Sequence, residues 1–342
     1  MEKISVNGML ADELLDAISA EGFTRRHALS VLNGIYKKSI DDFTRIRNVP
    51  GTLIKFLDSR FSPGIFPPLS SETSEDGSKK YLFRNSEGLY YETVFIPDGK
   101  RNTVCVSTQS GCRMGCPFCV TGRYGFHGNL DAGDILNQVT GIPEAARVTH
   151  VVFMGMGEPL DNLESVMKSI VILTSEWGKA LSPRNITVST VGITEGVKYF
   201  LENSECNLTL SLFSAFTEER REVIPAENRN PVLEIIEMMR NYPMKKKRRL
   251  SVAYVMIRDV NDSDRHLRGV TDLLHGSGIR INLLPYHATP FDPRLSSTPE
   301  KMMQFKHSLV TSGISASIRK SRGADISAAC GLLASSLGTG VV

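Results

Sequence analysis

The sequence lacks a long apolar segment, a large net charge and an export signal, and each absence narrows the class of protein. No apolar run approaches the ~18–20 residues that a membrane-spanning helix needs, so we expect no membrane association. The first residues, Met1-Glu2-Lys3-Ile4, do not have the charged and then apolar layout of a signal peptide, so we expect a cytoplasmic location. In that reducing compartment the six cysteines serve as ligands or reactive thiols. A net charge of only +3 gives no overall sign of nucleic-acid binding, which would need local basic patches.

The composition is that of an ordinary globular protein. Hydrophobic residues make up 41% of the 342 positions and charged residues 23%. This length suits a barrel with a small additional domain, and the sequence has no internal repeat.

The start of the chain predicts a helical module. Apolar residues recur at helical spacing from Leu10 to Ile18 and again from Ala28 to Ile35. A turn at Pro50 precedes a third, short helical stretch. We therefore predict a helical domain over residues 1–60.

A linker and a β-hairpin are predicted over residues 61–100. Residues 62–79 are rich in Pro, Ser, Glu and Gly, which indicates an exposed linker. Residues 81–84 and 89–96 are strand-like and are separated by the polar turn Asn85-Ser86-Glu87-Gly88, which indicates a hairpin.

Strands and helices alternate over residues 101–332. The predicted strands are Thr103–Ser107, His150–Met154, Asn185–Ser189, Asn207–Leu212, Leu250–Met256, Arg280–Leu284 and Ser315–Arg319. The predicted helices cover residues 131–141, 161–176, 193–202, 217–240, 262–276 and 299–311. Such alternation predicts right-handed crossovers and a parallel sheet. The fold class is therefore α/β, a partial (β/α)6 barrel that resembles an incomplete TIM barrel, followed by a tail, residues 333–342, that we expect to be mobile.

Three closely spaced cysteines are the most informative feature: Cys112, Cys116 and Cys119. Their spacing allows three thiolates to hold three irons of a [4Fe–4S] cluster, and no fourth cysteine lies nearby to bind the last iron. Zinc is an alternative, but zinc favours four Cys or His ligands and His127 is the only nearby imidazole. A structural disulfide is a further alternative, which a reducing compartment disfavours.

Further polar groups follow the next predicted strands. Because catalytic groups of β/α barrels gather at the C-terminal ends of the strands, these residues should share one rim with the cysteines. After the second strand, Gly157 would let a ligand approach the backbone and Glu158 could accept hydrogen bonds from a ligand ammonium group; a glycine-rich turn with a capping Glu is the alternative. Ser189 and Ser211 end the third and fourth strands, where serines are also common turn residues.

This combination of motifs resembles the radical S-adenosylmethionine (SAM) superfamily, and within it the RlmN/Cfr family. The resemblance spans about residues 20–332 and is carried by Thr103–Ser107, the three-cysteine run, Gly155–Pro159 and Arg322–Gly331. It implies a [4Fe–4S] cluster whose open iron binds SAM, and methylation of an sp² carbon of adenine in 23S ribosomal RNA. The SAM contacts that it implies are Gly157, Glu158, Ser189, Ser211, Leu212, Phe213 and His287.

The resemblance also implies roles for two further cysteines. One SAM methylates Cys330, and a second SAM yields a radical that removes a hydrogen from that methyl group, so that the carbon adds to adenine. Cys105 then takes a proton from the adduct and attacks Cys330, which releases the product and leaves a disulfide. Glu92 matches the family position of a proton acceptor. For both cysteines a small core residue is the alternative, and we predict that Cys206 is one.

Two positions depart from the family pattern. Phe213 replaces the usual His after the fourth strand, and His287 stands where an Asn that contacts SAM is usual. Imidazole can still hydrogen-bond SAM, so we expect cofactor binding to survive in a divergent branch.

Basic clusters suggest where RNA could bind. Residues 245–249 form the run Lys-Lys-Lys-Arg-Arg, which would neutralise phosphates or form a solvated loop. The helical module adds Arg25, Arg26, Lys37 and Lys38. Because a base carbon is reached only in an unstacked nucleotide, we expect this module to help hold the RNA.

The sequence therefore predicts a radical-SAM adenine methyltransferase, with carbon 2 favoured over carbon 8. The alternatives are modification of another RNA such as tRNA, and a non-catalytic iron–sulfur protein that binds RNA. A flavodoxin or ferredoxin is the expected reductant, and a monomer the expected state.

Overall fold

The computed structural model describes residues 3–243, 248–289 and 291–334. Lys245, Lys246 and Lys247 of the basic run, and residues 335–342 of the predicted tail, lie outside the described residues. The described strands, numbered in chain order, are β1 Ile4–Ser5, β2 Phe61–Ser62, β3 Ser70–Thr73, β4 Lys79–Arg84, β5 Tyr90–Asp98, β6 Arg101–Val106, β7 Gln109–Gly111, β8 Phe126–Asn129, β9 His150–Phe153, β10 Ile186–Thr190, β11 Asn207–Ser211, β12 Leu250–Met256, β13 Arg280–Pro285 and β14 Ala316–Ile318. The described helices are α1 Ala11–Ser19, α2 Arg25–Lys38, α3 Gly51–Arg60, α4 Val120–Tyr124, α5 Ala132–Thr140, α6 Leu163–Thr174, α7 Thr194–Asn203, α8 Thr217–Val223, α9 Val232–Asn241, α10 Asp264–Leu274 and α11 Pro299–Thr311. Across these ranges, no helix combines the length and the apolar character needed to cross a membrane.

Ten of the described strands form one mixed sheet, in the order β14-β13-β12-β11-β10-β9-β6-β5-β4-β3. The neighbours from β6 to β14 are parallel. Each consecutive pair is joined by a crossover that contains a helix from the series α5 to α11. The seven predicted strands of this region are confirmed to within two residues at each end. The α/β class is therefore confirmed as well.

The seven parallel strands curl around an inner cavity. Side chains from each of these strands line one cavity of about 310 Å³, from Arg101 near β6 to Ser317 on β14. Among the described strands, β14 pairs only with β13, so the barrel does not close on itself. The structure thus confirms a partial barrel with six β/α units.

The fourth crossover differs from the prediction of one helix over residues 217–240. The structure has two helices there, α8 and α9, with a 3-10 turn at Pro225–Asn228 between them. Pro225 and Pro231 have no backbone N–H to donate, so neither can continue a preceding helix. The other five helices of the barrel are confirmed.

The hairpin is continuous with the barrel sheet. β4 and β5 pair antiparallel as predicted, and β5 also pairs antiparallel with β6. The linker predicted over residues 62–79 was wrong in part, because it contains β3, which pairs with β4. All four residues of β3 are exposed and polar, so the strand has no apolar alternation that could reveal it.

The three predicted helices of the N-terminal module are confirmed as α1, α2 and α3. The short strands β1 and β2 pair in parallel and join the two ends of the module. The module shares one continuous hydrophobic core with the barrel. Polar contacts add to this packing, since Asn7 donates to the Gly133 carbonyl at 3.0 Å and Lys168 pairs with Glu13 at 2.8 Å. The module is therefore fixed against α5 and α6.

Candidate active site

The three closely spaced cysteines lie on a loop, residues 112–119, which we call the cysteine loop. The antiparallel strands β7 and β8 pair with each other on either side of this loop in the sequence, and the Cys112 amide donates to the Gly125 carbonyl at 2.9 Å. Gly111 has a positive φ of 79°, and a Cβ there would collide with the Gly125 carbonyl. Glycine is therefore required for the loop to begin at this point.

The three thiols are neighbours in a partly apolar setting. Burial raises the pKa of Cys112 to about 12 and raises that of Cys116 still further, and the Cys119 thiol acts on both in the same direction. Phe213, Ile224, Ile257 and Tyr286 pack in the same cluster as Cys116. Such protonated thiols become thiolates only with a strong positive partner such as iron. Three thiols gathered on one short loop thus fit the cluster that the resemblance implies.

The described residues do not include three His, Cys, Asp or Glu side chains grouped to hold one metal ion. A [4Fe–4S] cluster has a different requirement, because each cysteine binds a different iron.

Phe213 packs against the cysteine loop. Its ring stacks on Phe118, with centroids 5.8 Å apart and an interplanar angle of 17°. Its backbone has a φ of 60°, which is uncommon for an aromatic residue, and its carbonyl accepts from Asn261 at 2.9 Å. The neighbouring Leu212 is fully buried and bonded through its amide to the Ala253 carbonyl at 2.9 Å. The end of β11 is thereby held directly against the cysteine loop.

Arg220 is a site residue that the sequence analysis missed. Its side chain is fully buried, and its guanidinium donates to the Leu212 and Ser211 carbonyls at 3.1 Å each and to the Val191 carbonyl. It also pairs with the fully buried Glu227, and its charge acts on the Cys116 thiol. A single arginine thus holds the ends of β10 and β11 together beneath the cysteine loop. Only its place after the fourth barrel strand hinted at this in the sequence.

Glu158 and Gly157 have structural contacts that the sequence did not indicate. Glu158 is 3% exposed, and its two carboxylate oxygens accept from the amides of Leu160 at 3.0 Å and Val191 at 2.9 Å. Burial raises its pKa to about 7. A Cβ on Gly157 would lie 2.6 Å from the Gln109 Cβ, so protein packing alone requires this glycine. Both residues join the ends of neighbouring strands.

The remaining predicted rim residues lie at the ends of β10, β11 and β13. Ser189 and Ser211 are partly exposed, and Ser189 stands beside Thr209 in the strand register. His287 follows β13, and its Nε2 lies 2.7 Å from the Ser321 hydroxyl. Burial lowers the pKa of His287. His287 is thus tied to the segment that leads towards Cys330.

The segment with Cys330, residues 330–334, lies against the cysteine loop, and we call it the Cys330 loop. The Val120 amide donates to the Gly331 carbonyl at 2.9 Å, and the Thr121 hydroxyl donates to the Leu333 carbonyl at 2.9 Å. The Cys330 side chain is exposed to solvent, yet burial among protein atoms raises its pKa, an effect that the Arg319 charge opposes. The residue as a whole is therefore exposed, while its sulfur lies among protein atoms and close enough to Cys119 for that thiol to act on it.

Cys105 and Glu92 lie on the same face of the sheet. Cys105 on β6 is opposite Val94 on β5, and Glu92 is two residues from Val94, so their side chains point the same way. Glu92 is fully buried, and its Oε2 accepts from the Ala334 amide at 2.7 Å in the Cys330 loop. Burial raises the pKa of Cys105, as does its proximity to Cys330. The structure thus brings both residues to the Cys330 loop.

All six cysteines are free thiols in the structure. The disulfide expected between Cys105 and Cys330 is therefore not formed, which corrects that expectation for this state of the protein. The resemblance places the disulfide only after product release, so a resting enzyme has two thiols. Cys206 is 1% exposed in the main core, as predicted.

The two arginines of the basic run that the structure describes, Arg248 and Arg249, have different environments. Arg248 is buried and donates to the Leu201 and Phe200 carbonyls at 2.8 and 3.3 Å, so this residue does not face solvent as predicted. Arg249 is exposed at the amino end of β12 and lines the inner cavity.

Comparison with known proteins supplies a context for this site. Residues 106–268 match the family model described as the radical SAM superfamily. The chain is 41% identical over 333 residues to a protein of Parabacteroides distasonis named probable dual-specificity RNA methyltransferase RlmN, with 97% of each chain covered. It is 37% identical over 332 residues to the dual-specificity RNA methyltransferase RlmN of Syntrophotalea carbinolica, with 97% of this chain and 90% of that protein covered. A crystal structure of a radical SAM methyltransferase from Sphaerobacter thermophilus matches with a TM-score of 0.89 at 36% identity, covering 97% of this chain and 99% of that one.

Proposed function

The chain belongs to the RlmN family of radical SAM RNA methyltransferases, and we propose that it methylates carbon 2 of an adenine in 23S ribosomal RNA. The methyl group reaches the base through an S-methylcysteine at Cys330. Carbon 8 is the alternative position.

The contact between the Cys330 loop and the cysteine loop is the observation that supports this mechanism most. Val120 directly follows Cys119, Gly331 directly follows Cys330, and their backbones share a hydrogen bond of 2.9 Å. A cysteine used only for packing would not need to open into the site beside three further thiols. The exposed Cys330 side chain therefore suits a sulfur that takes up and passes on a group.

We assign the cofactors to the rim of the barrel. Cys112, Cys116 and Cys119 hold a [4Fe–4S] cluster, and SAM binds beside it. When bound, these groups supply a methyl group and a 5′-deoxyadenosyl radical, which allow reaction at a carbon that is a poor nucleophile. The rim residues assigned to SAM are Gly157, Glu158, Ser189, Ser211, Leu212, Phe213 and His287. For Glu158 the buried contacts favour an indirect role, in which it fixes the Val191 backbone that faces the cofactor.

The protein's own side chains then divide the remaining work. The Cys330 sulfur accepts the methyl group and carries its carbon to the base. After the adduct has lost one electron, which the cluster would take up, the Cys105 thiolate takes a proton from it. Once Cys105 has released that proton, its sulfur attacks the Cys330 sulfur, so that an S–S bond forms as the bond from the Cys330 sulfur to the methylene carbon breaks, and the released carbon takes up a proton to become the methyl group of the base. Glu92, the candidate proton acceptor, also positions the Cys330 loop through the Ala334 amide.

A second RNA substrate, such as tRNA, is the other candidate. The printed names of the relatives describe them as dual-specificity RNA methyltransferases, which favours more than one RNA for this chain. We propose that the enzyme works as a cytoplasmic monomer with a flavodoxin or ferredoxin as electron donor.

Analysis of the modified RNA tests this function. Protein reconstituted anaerobically with iron and sulfide is incubated with SAM, a reductant and unmodified 23S ribosomal RNA, and the RNA is digested to nucleosides. We expect 2-methyladenosine by mass spectrometry against standards of both isomers. Formation of 8-methyladenosine would overturn the assignment to carbon 2. Absence of any methylated adenosine with cluster-loaded, SAM-binding protein would overturn the proposed reaction on this RNA.

A further inference from the structure

The inner cavity is strongly basic at the amino ends of the barrel strands. Five arginines contribute to its lining, and we call them the arginine rim: Arg101, Arg184, Arg249 and Arg280, which lie at or just before the amino ends of their strands, and Arg319, which directly follows β14. His150 lies among them, and no carboxylate lines the cavity. This end of the barrel is opposite the cysteine loop, because the cysteine loop follows the carboxyl end of β6.

The guanidinium groups of the arginine rim are not held in ion pairs among the described residues. None of the five guanidinium groups forms an ion pair there, and all five side chains are exposed. Asp98 lies opposite Arg101 in the strand register and its charge acts to raise the pKa of Arg101, but its ion pair, at 3.4 Å, is with Arg322. Burial lowers the pKa of Arg101, and the charges of Arg319 and Arg249 lower it further. Like charges gathered at a concave surface repel one another, which is costly unless an anion binds between them.

A polar passage, lined by side chains of the barrel strands, extends from the arginine rim to strand positions that are level with Cys105 in the register. The interior of a full TIM barrel is filled by branched apolar side chains. Here the cavity is lined instead by hydroxyl and amide side chains from successive strands: Thr187, Thr209, Ser251, Asn282 and Ser317. These groups are able to hydrogen-bond the edge of a base.

Two observations connect this passage to the reactive thiols. On β6, Arg101 and Cys105 are four residues apart on one face of the sheet, a separation of roughly 13 Å along a strand. Arg319 lies close enough to influence both Arg101 and Cys330. The arginine rim therefore shares the inner face of the barrel with Cys105, and Arg319 connects it to the surroundings of Cys330.

We propose that the RNA enters through the arginine rim, whose arginines bind the phosphates around the target adenine while the base extends along the polar passage to Cys330. This proposal rests on the proposed RNA substrate. Five unpaired guanidinium groups exceed what a single phosphate can neutralise, whereas a single-stranded segment of RNA supplies several phosphates in a row. An extruded base also loses the hydrogen bonds of its pairing partner, and the hydroxyl and amide groups of the passage supply hydrogen bonds in their place.

The test removes two charges from the arginine rim and measures RNA binding. The variant is Arg249→Gln/Arg280→Gln, and the ligand is a fluorescently labelled RNA hairpin with an adenine in its loop. Binding is measured by anisotropy over a series of salt concentrations. Because each single-strand phosphate contact contributes about 0.7 to the slope of log K against log salt, we expect the slope to fall by about 1.4. Affinity should fall roughly tenfold at moderate salt.

The matched control is Arg221→Gln/Arg268→Gln. These two arginines are also exposed and lie on the outer helices α8 and α10, so the change in net charge is the same. The control should bind RNA as the unmodified protein does. A salt slope of the rim variant equal to that of the unmodified protein would overturn the proposal. So would tight binding of inorganic phosphate combined with an unchanged slope for RNA, since the rim would then be a site for small anions.

Methylation of Cys330 by SAM in the absence of RNA separates this proposal from the proposed function. Suppose that the unmodified protein methylates Cys330, and that the rim variant binds RNA weakly while the control variant does not. Both the proposed function and the proposed RNA entry are then supported. If Cys330 is never methylated but the rim variant still shows the expected fall in the salt slope of RNA binding, the S-methylcysteine mechanism fails and the proposed RNA entry is supported.

Discussion

The charged residues at the two ends of the barrel differ in their burial and in their partners. Near the cysteine loop, Arg220 and Glu158 are buried, and every polar contact that they make is to another part of the protein. At the other end, arginines such as Arg249 and Arg280 are exposed and have no acidic partner among the described residues. The difference indicates that the cofactor end is organised in advance, whereas the arginine end is completed by its ligand.

Removal of the Cys330 thiol should have the largest effect, and it should change the chemistry at the cysteine-loop end of the barrel without changing RNA binding. We expect Cys330→Ala to abolish methylation of RNA, because no other sulfur can carry the methyl group to the base. RNA binding, measured by anisotropy, should stay unchanged. The buried Cys206→Ala variant is the control and should retain methylation. Residual methylation by Cys330→Ala would contradict the division between the two ends.

Arg220→Met should have the next largest effect, on stability. The substitution leaves Glu227 as an unpaired buried charge and frees three backbone carbonyls, which should lower the free energy of unfolding of the apo protein by about 3–5 kcal/mol in urea titration. The adjacent exposed Arg221→Met should change it by less than about 0.5 kcal/mol. A loss below about 1 kcal/mol for Arg220→Met would show that the end of the barrel is not held by this arginine.

Glu158 should make the stability of the apo protein depend on pH. Its pKa is raised from 4.5 to about 7, so the folded protein retains a proton that the unfolded chain has already released between these values. The contribution of Glu158 to the free energy of unfolding is therefore greatest below about pH 4.5 and decreases by about 3 kcal/mol as the pH rises to 7. The free energy of unfolding is measured by urea titration at pH 5 and at pH 7.5. In Glu158→Gln the part of its decrease between these pH values that Glu158 causes should be absent. Equal pH dependence in Glu158→Gln and in the exposed control Glu164→Gln would count against a buried, protonated Glu158.

A single substitution at the arginine rim should have the smallest effect. Because Arg249 is exposed, Arg249→Gln should change the free energy of unfolding by no more than about 0.5 kcal/mol. The small change should be stabilising at low salt, where repulsion among the rim arginines is unscreened, and should vanish at high salt. A clear loss of stability at both salt concentrations would mean that Arg249 has a structural role like that of Arg220.

Much of the architecture could be predicted from the sequence because its signals are local. Apolar strands alternate with helical periodicity, and the three cysteines that follow the first barrel strand lie within one stretch of eight residues. The rule that functional groups gather at the carboxyl ends of strands then located the cysteine loop correctly. β3 and the break between α8 and α9 were missed, because exposed polar strands and proline-containing helical stretches carry weak or mixed local signals.

The contacts of Arg220 and the arginine rim could not be predicted, because they depend on how distant segments meet. Arg220 contacts the ends of two different strands and a turn on its own crossover. The arginine rim gathers residues from position 101 to position 319, each of which is unremarkable in its own sequence context. For Glu158 the alternative of a capping residue describes its contact with the Leu160 amide, but nothing local reveals that the distant Val191 amide occupies its other oxygen.

The most direct test of this account is the methylation state of Cys330 after the reconstituted protein is incubated with SAM but without RNA. We predict one methyl group on the peptide that contains Cys330 and none on the peptides that contain Cys105 or Cys206. Protein that holds its cluster and binds SAM, yet leaves Cys330 unmodified, would contradict the claim that the cofactor end is complete before RNA arrives.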